Sequence, residues 1–160
     1  MAYQKLQVGK GLAVILSDTV KIPDPSTQVL SGTANFSVAS TLTDVGTTFL
    51  TAGIQENAIV YNTTAGIAYY VTAITDDLNL ALSPATTGGA SDDYVIYNAP
   101  SNGNVLYVGG AGIVSVIMAG DKDSGVTTDF AGVPAGAFLP IQAVQVATTT
   151  TTATDIVALW

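Results

Sequence analysis

The sequence predicts an all-β protein: an antiparallel, β-sandwich-like domain carrying an inserted small β-barrel of SH3-like kind. Three observations predict it. Apolar runs of four to eight residues recur between Gly, Pro and Asp punctuation, as strands do. No stretch of helical length shows the 3.6-residue period. The two richest sets of strand candidates, residues 31–99 and 100–160, are joined by the turn sequence Pro100-Ser101-Asn102-Gly103. The expected organisation is a base domain of residues 1–30 plus 100–160, interrupted by a barrel of residues 31–99.

In the base domain, Met1 to Gly11 sets Leu6 and Val8 against Lys5 and Gln7, as a short strand or an extended arm would. Leu12 to Leu16 (LAVIL) reads as a buried strand and Ser17-Asp18-Thr19 as a turn. Ile22-Pro23-Asp24-Pro25 reads as a rigid connector, because each proline lacks an N–H and restrains its neighbour. In the insert, Ala34 to Val38 alternates in strand period, and Thr47 to Leu50 suits a helical turn. Ala58 to Tyr61, Ile67 to Ile74, Leu78 to Leu82 and Tyr94 to Tyr97 are further strands. Asn62 to Gly66 is a hairpin loop ending on a glycine suited to positive φ. Asp76-Asp77 and Asp92-Asp93 read as turns. Short strands at this spacing suggest a small barrel.

The last third is denser still. Val105 to Val108 is a strand, Gly109-Gly110-Ala111-Gly112 a hairpin turn, and Ile113 to Met118 a second strand. Val126 to Phe130 and Phe138 to Val146 are two more, around the turn Pro134-Ala135-Gly136. Thr148 to Thr152 is a run of β-branched polar residues, suited to a solvated loop, an edge strand or a threonine ladder between symmetric copies. Asp155 to Trp160 (DIVALW) closes the chain as an apolar strand that a sheet must hold.

Composition removes whole classes of chemistry. The chain has 160 residues and neither Cys nor His. Disulfides, thiolate nucleophiles, Cys-based zinc sites and Ser-His-Asp or Cys-His catalysis are therefore absent. The one glutamate, Glu56, leaves no evident carboxylate pair for glycoside hydrolysis. Gly109 to Gly112 is followed by a strand and not a helix, so it is no dinucleotide fingerprint. Gly9-Lys10-Gly11 lacks the Ser or Thr of a P-loop. Asp121-Lys122-Asp123-Ser124-Gly125, with Asp129, has the composition of a calcium loop but not its spacing, and hairpin turns favour the same residues. We expect no catalytic residue, no metal and no cofactor.

Only 10% of residues are charged, and the net charge is −8. So few charges protect a soluble surface poorly against association. With four Lys and Arg in all, phosphate neutralisation is not available, which argues against nucleic acid as a partner. No apolar run approaches the length of a membrane helix, and the first residues lack a signal-peptide core. The expectation is a soluble chain made in the cytoplasm that buries part of its surface against copies of itself or a partner.

The segments LYVGGAG, FAGVPAGAFLPIQAVQV and TTATDIVALW, together with AVILSDTVKIPDPS at Ala13 to Ser26, resemble the spike-base and decoration (cement) proteins of tailed-phage heads and gene transfer agents. These pieces lie in two stretches, Ala13 to Ser26 and Leu106 to Trp160, that together span a little under half of the chain. The resemblance implies a non-enzymatic virion protein on the capsid exterior. It implies a homo-oligomer, trimeric or pentameric, bound to the major capsid protein and able to serve as the base of a fibre protein. Ile156, Val157, Leu159, Trp160, Leu106 and Tyr107 are the expected interface residues. An alternative is a host-recognition module of a fibre or tail, binding surface glycans through the tyrosines of the insert: Tyr61, Tyr69, Tyr70, Tyr94 and Tyr97. Strand alternation puts Tyr69 and Tyr70 on opposite faces, so at most one of those two can join such a surface.

Overall fold

The computed structural model describes residues 9–160. In chain order the strands are β1 (Gly11–Ala13), β2 (Gln28–Ala34), β3 (Thr41–Thr43), β4 (Ile59–Asn62), β5 (Ile67–Ile74), β6 (Asn79–Ser83), β7 (Asp92–Tyr97), β8 (Asn104–Gly110), β9 (Gly112–Met118), β10 (Thr127–Val133), β11 (Ala137–Val146) and β12 (Thr154–Leu159). They form two six-stranded antiparallel sheets, ordered β1-β12-β8-β11-β9-β10 and β2-β7-β4-β5-β6-β3. One of the sheets is curled into a half-barrel. The all-β, sandwich-like expectation is met. The part of the expected arm at residues 1–8 lies outside the described residues.

The chain divides into two compact units, one of Met1–Val14 with Asn102–Trp160 and one of Ile15–Ser101. Residues 15–30 therefore belong with the insert and not, as expected, with the base. The reason is pairing. Pro23 and Pro100 form a β-bridge, Asp24 N–H donates to Ala99 O at 2.9 Å, and Ser101 N–H donates to Ile22 O at 2.8 Å. The two ends of the insert are thus zipped together by residues that read as mere connectors. Proline is tolerated in such a bridge because its missing N–H costs nothing on an unladdered side.

In the second unit, β2 and β3 stand at the two ends of the sheet order, yet Asn35 and Thr43 meet in an antiparallel bridge with bonds of 2.8 and 3.0 Å. That one bridge brings the curled sheet back on itself. Inside lie Phe36, Leu42, Phe49, Val60, Tyr69, Val71, Leu80, Tyr94 and Ile96, all essentially inaccessible. The Phe36 ring stacks on Tyr69 at 5.9 Å and meets Tyr94 edge-on at 6.3 Å. Each such side chain contributes about 1.5–3 kcal/mol by leaving water. The first strand of this unit starts six residues earlier than the alternating stretch 34–38 suggests. Gln28–Ala34 pairs with β7, and Phe36 lies beyond the strand as a core plug.

In the first unit the GGAG segment is not a hairpin turn. β8 and β9 do not pair with each other; both pair with β11, and Ala143 of β11 is opposite Asn104 and also opposite Met118. The stretch 104–118 is therefore one long strand bent at its glycines, with its two ends meeting at Ala143. Register shifts in β11 on either side of Ala143 supply the matching bend. The glycines are there because the segment 152–155 runs against the bend. A Cβ on Gly110 would lie 2.0 Å from Thr154 Oγ1, and one on Gly112 would lie 2.5 Å from Ala153 N.

The threonine run belongs to the same contact. Ile113 N–H donates to Thr152 Oγ1 at 2.9 Å and Ser115 N–H to Thr151 Oγ1 at 3.0 Å. Two of the five hydroxyls thus act as ladder acceptors within the chain, while Thr148, Thr149 and Thr150 are exposed.

Gly112→Ala should cost at least about 1–3 kcal/mol, because the atoms in its way are backbone and cannot rotate aside. Gly120→Ala should be close to neutral, since a Cβ there meets nothing within 4 Å. Urea denaturation of the two variants, side by side with the parent, checks the contrast.

Candidate interaction surface

The register of the first unit sorts its apolar residues onto two faces. Leu139, Leu106 and Ala158 form one cross-strand row, and Ala137, Val108 and Ile156 form another. Leu106, Val108, Ile156 and Ala158 are buried, so these rows face the core. The alternate rows face the other way. Phe138, Tyr107, Val157 and Ala13 lie opposite one another across four strands, and Val105, Leu159 and Gly11 lie beside them. Neither outer row holds a charged side chain. Phe138 is 60% exposed, and its ring sits 5.2 Å from that of Tyr107.

Of the six residues expected at an interface, three lie on this outer face: Tyr107, Val157 and Leu159. Ile156 and Leu106 do not; strand alternation turns them inward, where they hold the sheet and cannot meet a partner. Trp160 is half-buried, its N–H donating to Lys10 O at 3.0 Å while its own carbonyl accepts from Gly9 N–H. The sequence reading missed Phe138, the most open large side chain of the surface. Its partnership with Tyr107 depends on the register of strands far apart in the chain.

The second unit holds two inward carboxylates, Asp44, which the sequence did not single out, and Asp92, which it placed in a turn. Asp44 Oδ2 accepts from the Tyr94 hydroxyl at 2.7 Å and its Oδ1 from Gly46 N–H at 2.8 Å. A pocket of about 280 Å³ opens beside it, between Thr33–Asn35, Thr43–Val45 and Ala90–Ser91. Both oxygens of Asp44 are already engaged, so its carboxylate is a structural strut and not a handle for a ligand. Asp92, expected in a turn, is instead the first residue of β7 and is buried. Its Oδ2 accepts from Asn62 Nδ2 and from Gly89 N–H, each at 2.8 Å. The paired glycines Gly88 and Gly89 let the loop close over this carboxylate, for a Cβ on either would come within 2.7 Å of its oxygens. Asp76, by contrast, is a turn residue as read, accepting from Leu78 N–H and Asn79 Nδ2. Among the described residues no three acidic side chains come together as a metal site would require. The Asp121–Gly125 loop closes on itself: Ser124 Oγ and Gly125 N–H both donate to Asp121 O, with Gly125 at φ 68°.

The five tyrosines do not form an open sugar platform. Tyr69 and Tyr94 are core residues, and Tyr61 and Tyr97 are buried edge-to-face at 5.9 Å on the other side of the sheet. Tyr70 is half-buried, and its hydroxyl donates to Thr19 O. Tyr69 and Tyr70 do point to opposite faces, as alternation requires. Burial pushes the Tyr61, Tyr70 and Tyr97 phenols above their ordinary range. Burial, then the hydrogen bond to Asp44 and its charge, pushes Tyr94 up furthest. Among the described residues no helix is long and apolar enough to cross a membrane.

The titrations give opposite signs at the two ends of the pH scale. The Asn62 amide and Gly89 N–H hold Asp92 below the usual carboxyl range, and the Asn79 amide and Leu78 N–H do so for Asp76. The unfolded chain therefore binds those protons more tightly, and their contribution, complete above about pH 5, should fade in acid as the lowered folded values are crossed. Thermal midpoints measured across this range should fall, and Asp92→Asn should flatten part of the fall. For Tyr94 the folded state favours the neutral phenol, so stability should be complete below about pH 10 and fall as pH rises further. Tyr94→Phe leaves Asp44 Oδ2 without its donor and should cost about 1–3 kcal/mol by urea denaturation at neutral pH. Compared with known proteins, the chain matches no family model, no curated protein and no solved structure.

Proposed function

We propose that this chain is a non-enzymatic structural protein of the virion, decorating or capping the outside of a tailed-phage head. The observation that carries the surface part of this reading is the pair of charge-free rows on the outer face of the first unit, centred on Phe138 and Tyr107 and bordered by Asp155 in the next row. Contiguous exposed apolar surface on a protein marks a contact site. Aromatic anchors ringed by smaller apolar residues are the composition of interface centres. The capsid part rests on the sequence resemblance of LYVGGAG, VPAGAFLP and TDIVALW to head decoration and spike-base proteins.

On this reading the outer face meets neighbouring copies and the major capsid protein. Burial of apolar area supplies the binding energy at about 25 cal/mol per Å². Lost translational and rotational freedom must be subtracted from it. The second unit is the part free to carry a fibre.

Light scattering at two concentrations should find a trimer or pentamer. Phe138→Asp places a charge at the centre of the face without touching the core. It should yield a monomer with an unchanged thermal midpoint, and it should no longer bind empty capsids in co-sedimentation. A parent chain that is monomeric and ignores capsids would sink the proposal.

A further inference from the structure

The chain passes from one unit to the other between Ser101 and Asn102, and Asn102 is followed by Gly103. From this juxtaposition we infer that Asn102 is a site of spontaneous covalent modification: cyclisation onto Gly103 and hydrolysis to aspartate and isoaspartate.

The chemistry needs only water. The Gly103 backbone nitrogen attacks the Asn102 side-chain carbonyl carbon. A C–N bond forms, the Cγ–Nδ2 bond breaks, and the amide nitrogen leaves as ammonia with the proton from Gly103 N. The five-membered imide that results takes up one water. Opening at one carbonyl gives aspartate at 102. Opening at the other gives isoaspartate, in which the backbone runs through the former side chain and is one methylene longer. Nothing is oxidised or reduced.

Four features of the fold favour the reaction here. Asn102 is exposed, so water reaches it and ammonia escapes. Its side chain makes no hydrogen bond among the described residues, whereas the buried Asn62 has its amide held by Asp92 and Ala65. Gly103 has no Cβ to obstruct approach to its nitrogen, and only glycine suits its φ of 136°. Lastly, Asn102 and Gly103 lie outside any strand, before the ladder begins at Asn104 opposite Ala143. No β-ladder therefore holds the residue 102 backbone against the rotation that ring closure requires.

The position gives the product consequences. Residue 104 is buried and in register with β11, while Ser101 is tied to Ile22. A methylene added between two anchored residues lengthens one of the two chain crossings that join the units. Either product also adds a negative charge to a chain already at −8.

The test is incubation of the folded full-length protein in mildly alkaline buffer, followed by peptide mapping with isoaspartate detection. The expected result is the mass gain of an amide-to-acid exchange confined to the peptide holding Asn102, with both product isomers present. Asn102→Gln, whose longer side chain would have to close a larger ring, should lose that gain while leaving the thermal midpoint unchanged. A parallel incubation in urea separates the folded state from intrinsic chemistry. Modification seen only in the unfolded chain, or appearing at Asn57 or Asn98 as fast as at Asn102, would overturn the inference.

Discussion

The close passage of residues 152–155 over the bend at Gly109–Gly112 is the constraint on which the first unit depends. A strand fifteen residues long, from Asn104 to Met118, cannot lie flat and also have both ends beside Ala143. It must bend, and the inside of the bend must accept another backbone. Glycine alone leaves room for that approach, and the glycines sit where Thr152 to Asp155 cross. The cost is a stretch with no side chains to fix it. Thr151 and Thr152 offset this cost by lending hydroxyls to the N–H groups of Ser115 and Ile113. Loop, bend and terminal strand are therefore one device.

The second unit solves a related problem with buried polar groups. A curled sheet whose edges meet at one bridge has irregular loops at its open ends. Those loops are organised around carboxylates: Asp44 collects Tyr94 and Gly46, and Asp92 collects Asn62 and Gly89. A buried carboxylate is tolerable only when donors surround it, and each of these holds a loop N–H, Gly46 or Gly89, in place. The same arrangement explains why the tyrosines are not a binding surface. Their rings fill the sheet's interior and cover its back, and the Tyr94 and Tyr70 hydroxyls are spent on Asp44 and on the Thr19 backbone.

On the proposed reading the partner surface lies on the outer face of the first unit. Two of its rows, Phe138-Tyr107-Val157-Ala13 and Val105-Leu159-Gly11, are apolar on the side away from the core, where an antiparallel sheet facing water would place polar residues. The low charge content of the chain is seen locally in these two charge-free rows. A functional reading built on surfaces suits a chain that has no histidine or cysteine and whose inward aspartates are already engaged.

The strand content, the opposite facing of Tyr69 and Tyr70 in β5 and the Asn62–Gly66 hairpin were legible in the sequence. All are set by local steric preference, by period-two patterning or by the residue types present. The burial of Asp92, the zipping of Pro23 to Pro100, the bend at Gly109–Gly112 and the pairing of Phe138 with Tyr107 were decided by tertiary structure. Each depends on which distant strand lies alongside, and a one-residue change of register would exchange the buried and exposed faces. That is why DIVALW could be read as a strand that matters, while only the folded register separated Ile156 in the core from Val157 and Leu159 on the surface.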